Sequence, residues 1–271
     1  MIGVMSILLT AGCHQMQTTP RPLNPKTVPE LLPGLLPGYL DMKTLPDSLA
    51  LIPPAPELDS AEFALDQGTS QSYLKLRGTA RWDLAKKDAN LHFPEAAGTF
   101  SCALNAPVTE TETPYLYQML RRTKMDAGMS TYNAKDEYER VRPFMQNNEP
   151  SCTPEEESRL KWSGSYPSGH AAIGWAWALI LSEIAPDRVE KIMARGRAFG
   201  ESRVFCNLHW DSDVREGRIV ADAVVAKLHS DPGFRYDLAV AKEEIAAVRE
   251  KKLPPTRDCQ DEAAALAVHP Q

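Results

Sequence analysis

Residues 164–185 read GSYPSGHAAIGWAWALILSEIA, a turn rich in Gly, Ser and Pro that delivers Ser168, Gly169 and His170 to the start of an apolar run. From Ala171 to Ala185 the run carries Trp175 and Trp177 and is interrupted by Ser182 and Glu183. It falls short of the ~20 apolar residues that cross a bilayer, so it reads as a buried core helix. Helical periodicity surrounds it. Candidate helices span Ser60–Leu76, Thr79–Asp88, Pro114–Ala127, Ser130–Arg142, Gly169–Ile184, Asp187–Phe205, Ser212–His229 and Gly233–Lys251. Thr113-Pro114 suits a helix start, and Asp187 and Asp231 stand where N-caps are wanted. No alternating strand pattern is long enough to count. The expected fold is an all-α, single-domain helical bundle.

Upstream the texture differs. Between Pro20 and Pro56 lie ten of the chain's 22 prolines, interleaved with leucines. Proline at that density excludes long helices, so residues 14–60 read as an extended Pro-rich arm that docks on the body through its leucines. Residues 61–251 form the helical catalytic domain, and 252–271 a frayed tail. Residues 1–13 run through Ile2, Val4, Ile7, Leu8 and Leu9 to Thr10-Ala11-Gly12-Cys13, the pattern of an export signal. Small residues before Cys13 suit lipidation of that cysteine. Two features depart from the pattern: Thr10 stands where a branched aliphatic residue is usual, and no Lys or Arg precedes the apolar run as a positively charged n-region requires. A short buried N-terminal helix is the alternative to export, and within export both lipidation and plain cleavage stay open. Either one places the protein in the periplasm or outside the cell, with a lipid anchor on the outer membrane if Cys13 is modified.

Setting Cys13 aside leaves Cys102, Cys152, Cys206 and Cys259. An even number in an exported chain favours disulfides, in any of three pairings. No CxxC pair suggests structural zinc. Across 271 residues the formal net charge is -6, which argues against a nucleic-acid binder reading phosphates with a basic surface. Any anion must be held by a local cluster of cations. The oligomeric state is not legible, and a homo-oligomer remains open.

Three segments carry chemistry. Lys135 to Pro143 fits K-x6-R-P; Lys135 and Arg142 would share a helix face about 10 Å apart along the axis, with Pro143 placing Arg142 at the helix end, where its fork can turn towards a ligand. Taken singly, the charges around them, Asp136, Glu137, Glu139 and Arg140, read as a solvated face. Pro167-Ser168-Gly169-His170 aims backbone N–H groups and a hydroxyl at one point beside a helix N-terminus, where an anion is favoured. A plain helix cap by Ser168 is the simpler alternative. Ser202-Arg203-x5-His209-x3-Asp213 puts a carboxylate four residues beyond an imidazole, close enough to fix its tautomer if the backbone is helical and leave the other nitrogen free to attack. His14, His92, His229 and His269 have no partner in any of these patterns.

Together the patterns K-x6-R-P, P-S-G-H and S-R-x5-H-x3-D resemble the signature of the type 2 phosphatidic acid phosphatase superfamily. Within it the chain is similar to the bacterial class A nonspecific acid phosphatases, from about Leu45-Pro46-Asp47-Ser48 on to His229. The resemblance implies an all-helical enzyme that hydrolyses phosphate monoesters of broad structure through a phosphohistidine, without a metal or other cofactor. In that reading His209 is the nucleophile and Asp213 orients it. Lys135, Arg142, Ser168, Gly169 and Arg203 hold the phosphoryl group, and His170 serves as general acid and then base. Phosphotransfer to alcohols would be a side activity. Alternatives are a vanadium-dependent haloperoxidase sharing the pocket, a metal-dependent phosphatase in which His170, His209 and Asp213 are ligands, and a lipoprotein that binds phosphorylated ligands without turnover.

Overall fold

The computed structural model describes residues 28–269. The export segment 1–13 with Cys13, His14 and the first part of the arm lie outside the described residues. Within them the chain forms α1 (Ser48–Leu51), α2 (Ala61–Leu74), α3 (Ala80–Ala89), α4 (Ser101–Leu104), α5 (Pro114–Met129), α6 (Tyr132–Tyr138) and α7 (Pro143–Asn147). It continues through α8 (Pro154–Leu160), α9 (Gly169–Ile184), α10 (Val189–Phe205), α11 (Asp211–Leu228), α12 (Pro232–Glu250) and α13 (Cys259–Leu266). No strand forms among the described residues, so the fold is all-α as expected. None of their helices is long and apolar enough to cross a membrane.

The apolar run is the central helix, α9. Ala172, Ala176, Trp177, Ile180 and Leu181 are fully buried, because α10, α11 and α5 all pack on α9. Trp177 satisfies its one donor on the Leu120 carbonyl, 3.0 Å away, so the indole is buried without an orphaned N–H. Two glycines let the flanking helices close on α9. A Cβ on Gly196 of α10 would lie 2.4 Å from Ala178 Cβ, and one on Gly217 of α11 would lie 2.5 Å from the Ser168 carbonyl oxygen.

An exposed helix usually gains about 1 kcal/mol when Gly becomes Ala. At Gly217 the sign reverses: Gly217→Ala is expected to cost about 1–3 kcal/mol through overpacking. Thermal denaturation checks this, and because the displaced atom belongs to the Ser168 turn, kcat should fall in parallel.

Several helix starts are as expected. Ser60 and Asp231 accept from Phe63 N and Phe234 N, and Thr113 precedes Pro114 at the head of α5. Asp187 is not an N-cap. Residues Pro186–Arg188 make a 3-10 turn before α10, and the Asp187 carboxylate accepts instead from Arg249 Nη1 at 3.1 Å. The expected helix Ser130–Arg142 also breaks. It ends at Tyr138, Glu139 takes a left-handed conformation (φ 41°), and Arg142 becomes the N-cap of α7 with Pro143 in its first turn. Proline disfavours helix at the residue before it, and the turn swings Arg140 inward.

The arm docks as expected, but polar contacts do more of the fixing than leucines. Leu36 and Tyr39 are buried while Leu31 and Leu32 are exposed. Asp126 of α5 accepts from Tyr39 N and Leu40 N at 2.9 and 3.0 Å, and Arg122 donates to the carbonyls of Pro37 and Gly38. Burial pushes the Asp126 carboxyl up to about 6 against those hydrogen bonds.

The tail is not frayed: α13 is tied to α4 by the Cys102–Cys259 disulfide, and its Glu262 lies 3.5 Å from Arg195. A second disulfide joins Cys152 to Cys206, settling the open pairing. The closed loops span sequence separations of 157 and 54 residues. On the chain-entropy relation such loops stabilise by about 4–5 kcal/mol each.

Candidate active site

The three motif segments meet at one end of α9. Ser168 caps that helix, its Oγ accepting from Ala171 N at 3.3 Å. The turn before it is anchored by Ser165 N on the Arg140 carbonyl and by Ser168 N on the Asp213 carbonyl, at 2.9 and 2.8 Å. Gly164 sits where a Cβ would lie 2.5 Å from the Lys135 carbonyl oxygen. K-x6-R-P is therefore in backbone contact with the turn leading into P-S-G-H, and P-S-G-H with the segment ending at Asp213.

A cavity of about 200 Å³ opens at this junction, lined by Lys135, Arg142, Gly169, His170, Arg203 and His209 together with Thr131, Tyr132, Glu156 and Arg159. Six of the eight residues selected from sequence line it. Ser168, capping α9, and Asp213, behind His209, are not among the lining residues.

Asp213 is on α11, but His209 is not: the chain enters that helix at Asp211 after Trp210 as N-cap. The pair meets across the helix N-terminus, which corrects the helical i,i+4 geometry expected. His209 Nδ1 lies 3.2 Å from Asp213 Oδ2, and the same oxygen accepts from Trp210 N at 2.9 Å. His209 Nε2 lies 3.1 Å from Arg142 Nη1. A carboxylate only accepts and a guanidinium only donates, so both neighbours impose one tautomer: Nδ1 carries the proton and Nε2 the lone pair. His170 Nε2 lies 3.0 Å from the Ala89 carbonyl, which makes it the donor and leaves Nδ1 unprotonated in the neutral ring.

The cations are held unevenly. Lys135 Nζ donates to the carbonyls of Gly164 and Ser165 at 2.9 and 3.3 Å. Arg142 reaches the carbonyls of Leu160, Ser163, Gly164 and Leu208. Arg203, only 1% exposed, keeps Nε and Nη1 without any hydrogen-bond partner. Buried guanidinium donors without acceptors are costly, and an anion in the cavity would satisfy them.

Burial lowers the five basic groups that the motifs bring to the cavity. Lys135 falls to about 7, with Arg142 adding to the desolvation. Arg142 and Arg203 each fall to about 10. His209 is held well below its ordinary value by burial and then by Arg142, Lys135 and Arg203, and His170 by burial and Arg203. A site that resists its own positive charge is built to receive a negative one.

Sequence reasoning missed part of this. Arg140, read as solvated, is 9% exposed and ion-paired to Asp213 and Asp66 at 2.6 and 2.7 Å. Glu156 and Arg159, in the run Pro154-Glu155-Glu156-Glu157-Ser158-Arg159, carry no spacing signal that singles them out.

A family model described as the PAP2 superfamily matches residues 122–235, the stretch that holds all three motifs. A non-specific acid phosphatase from Providencia stuartii is 45% identical over 213 residues, 78% of this chain and 86% of its own. The chain belongs to the class A nonspecific acid phosphatases of the PAP2 superfamily. An acid phosphatase from Zymomonas mobilis is 38% identical over 203 residues, 75% of this chain and 77% of its own. A non-specific acid phosphatase from Salmonella typhimurium is 38% identical over 195 residues, 72% and 78% of the two chains. The protein is an acid phosphatase, a phosphoric monoester hydrolase, and its cation-lined cavity matches the charge of a phosphoryl group.

Proposed function

We propose that this acid phosphatase works by double displacement through a phosphohistidine on His209, with no metal ion. The observation that carries the reading is the pair of imidazoles, His209 and His170, lining one cavity with Lys135, Arg142 and Arg203. Phosphoryl transfer needs the reactants positioned and the charge on the non-bridging oxygens compensated, and three fixed cations supply that charge. Their presence opposes a metal cation in the same space. It also disfavours the metal-dependent alternative, in which they would have no purpose.

The dianionic ester takes up the free Arg203 donors, the Lys135 ammonium and the Gly169 N–H. Ser168 Oγ already accepts from Ala171 N, so its own proton is available for a phosphoryl oxygen. Arg142 turns from His209 Nε2 to the phosphate, which frees the lone pair. Nε2 attacks phosphorus and the P–O ester bond breaks as protonated His170 gives its Nδ1 proton to the leaving alkoxide. A water then loses a proton to His170 and attacks phosphorus; the P–N bond breaks and its electron pair returns to Nε2. An alcohol in place of that water would give phosphotransfer. Asp213 keeps Nδ1–H of His209 in place throughout.

His170 must be protonated for the first step, yet burial and Arg203 oppose its charge in the empty cavity. The arriving dianion reverses that balance, because it restores an opposite charge beside the ring. Acidic conditions assist, as the name of the family requires.

Two in-line displacements each invert phosphorus, so hydrolysis of a substrate made chiral with oxygen isotopes should retain configuration. Inversion would mean direct attack by water and would end the phosphohistidine reading. Anion binding should follow pH with a definite sign. Lys135 is cationic below about 7 and loses its charge above it. Sulfate keeps a constant charge across this range, so its inhibition constant should weaken several-fold from pH 6 to pH 8, approaching ~10-fold per unit where a single proton is linked.

The protein is further proposed to be exported, to the periplasm or beyond, with Cys13 as the point of lipid attachment if the anchor is present. Two joined cysteine pairs support an oxidising compartment.

A further inference from the structure

Arg140 is the buried charge that the phosphoryl-transfer mechanism does not use. Its Nη1 donates to Asp213 Oδ1 at 2.6 Å and to Ser212 Oγ at 2.7 Å, and its Nη2 to Asp66 Oδ2 at 2.7 Å. Asp66, on α2, is itself fixed at the head of α11: its Oδ1 accepts from Ser212 N at 2.9 Å and its Oδ2 from Ser212 Oγ. The guanidinium carbon lies 5.6, 5.8 and 5.7 Å from the ring centres of Phe63, Tyr166 and Trp210. Three aromatic faces and two carboxylates leave it one position. Its carbonyl also takes Ser165 N, so the same residue holds the turn that leads to His170.

The result is a buried line, Asp66–Arg140–Asp213–His209, running from α2 to the imidazole. We propose that Arg140 is a positioning residue for phosphoryl transfer, orienting the Asp213 carboxylate and sharing its charge so that His209 stays unprotonated at Nε2 under acidic conditions. The inference rests on His209 being the nucleophile. An Asp213 with an unshared charge would stabilise imidazolium more strongly, and a protonated His209 cannot attack. A merely structural Arg140 would affect stability alone.

The other charged groups facing this line are Arg142, Lys135, Arg203, His170, Glu156 and Arg159 around His209, and Asp211 and Arg215 beside Asp66. Substitution at Arg140 leaves them in place, so a change in proton uptake by His209 reports the Arg140–Asp213 contact.

The test is kcat/KM for p-nitrophenyl phosphate against pH in Arg140→Gln, Arg140→Lys and Asp66→Asn, with the labelled-phosphate burst measured after a denaturing alkaline quench. Arg140→Gln should lower kcat by about 10²-fold, the cost of a small misplacement, with KM little changed. Its acidic limb should move up by about one pH unit. Arg140→Lys should restore part of both. Asp66→Asn leaves the whole Arg140 charge on Asp213 and should move the limb the other way; it also serves if Arg140→Gln fails to fold.

Opposite displacements in the two variants support the proposal. An acidic limb that stays at the wild-type pH in both, with the burst still on His209, overturns it and leaves the nucleophile standing. A wild-type protein that shows no burst on His209 overturns the nucleophile, and the inference with it.

Discussion

His209→Ala should lose turnover by on the order of 10³-fold or more, as expected when a covalent nucleophile is removed, while the cavity still binds phosphate. The second half of that expectation is the informative one. In the proposed mechanism His209 contributes a lone pair and takes no part in gripping the anion, which falls to Lys135, Arg142 and Arg203. Removing the ring should even free Arg142, whose Nη1 lies against Nε2 in the empty cavity. Inorganic phosphate should therefore inhibit wild type and bind the variant, the latter read by calorimetry, with affinities within a few-fold. Loss of binding together with turnover would make His209 part of the anion grip instead.

His170→Ala should produce a different pattern. General acid catalysis is worth ~10²–10⁴ in rate, and its value depends on how badly the leaving group needs a proton. Hydrolysis of an alkyl phosphate such as glycerol phosphate should fall across that range. p-Nitrophenyl phosphate, whose phenolate leaves unaided, should be affected far less in the bond-breaking step. At high acceptor concentration a residual defect should persist on both substrates, since the same ring activates the incoming hydroxyl. A uniform loss across leaving groups would assign His170 to phosphate binding alone.

That these residues gather at one cavity could be read from letters because each motif is local: P-S-G-H packs its functional groups into four residues, and His209 with Asp213 needs only a spacing of four. The fold was legible for a similar reason. The run Ala171–Ala185 is apolar enough to be central in any all-helical arrangement, Ser60 and Asp231 mark starts that depend on local hydrogen bonds, and Pro114 marks one through its fixed φ.

What escaped depends on partners far away in sequence. Arg140 looks like a member of a charged surface run until Asp66 and Asp213, 74 and 73 residues distant, are brought beside it. The frayed-tail reading failed on the same ground, since a disulfide to Cys102 and an ion pair to Arg195 hold α13. The unbroken helix through Lys135 and Arg142 failed because a left-handed Glu139 cannot be inferred from glutamate's propensities; burial of Arg140 overrides them.

The most direct test of the account is to find where the phosphoryl group goes. The enzyme is mixed with labelled substrate in the presence of chelator, quenched within one turnover into denaturing alkali, where a P–N bond survives, and digested for peptide mapping. The account predicts label on His209, stable in alkali, released in acid and absent from His209→Ala. Label on any other residue, or a label that forms only when a metal is supplied, would contradict it.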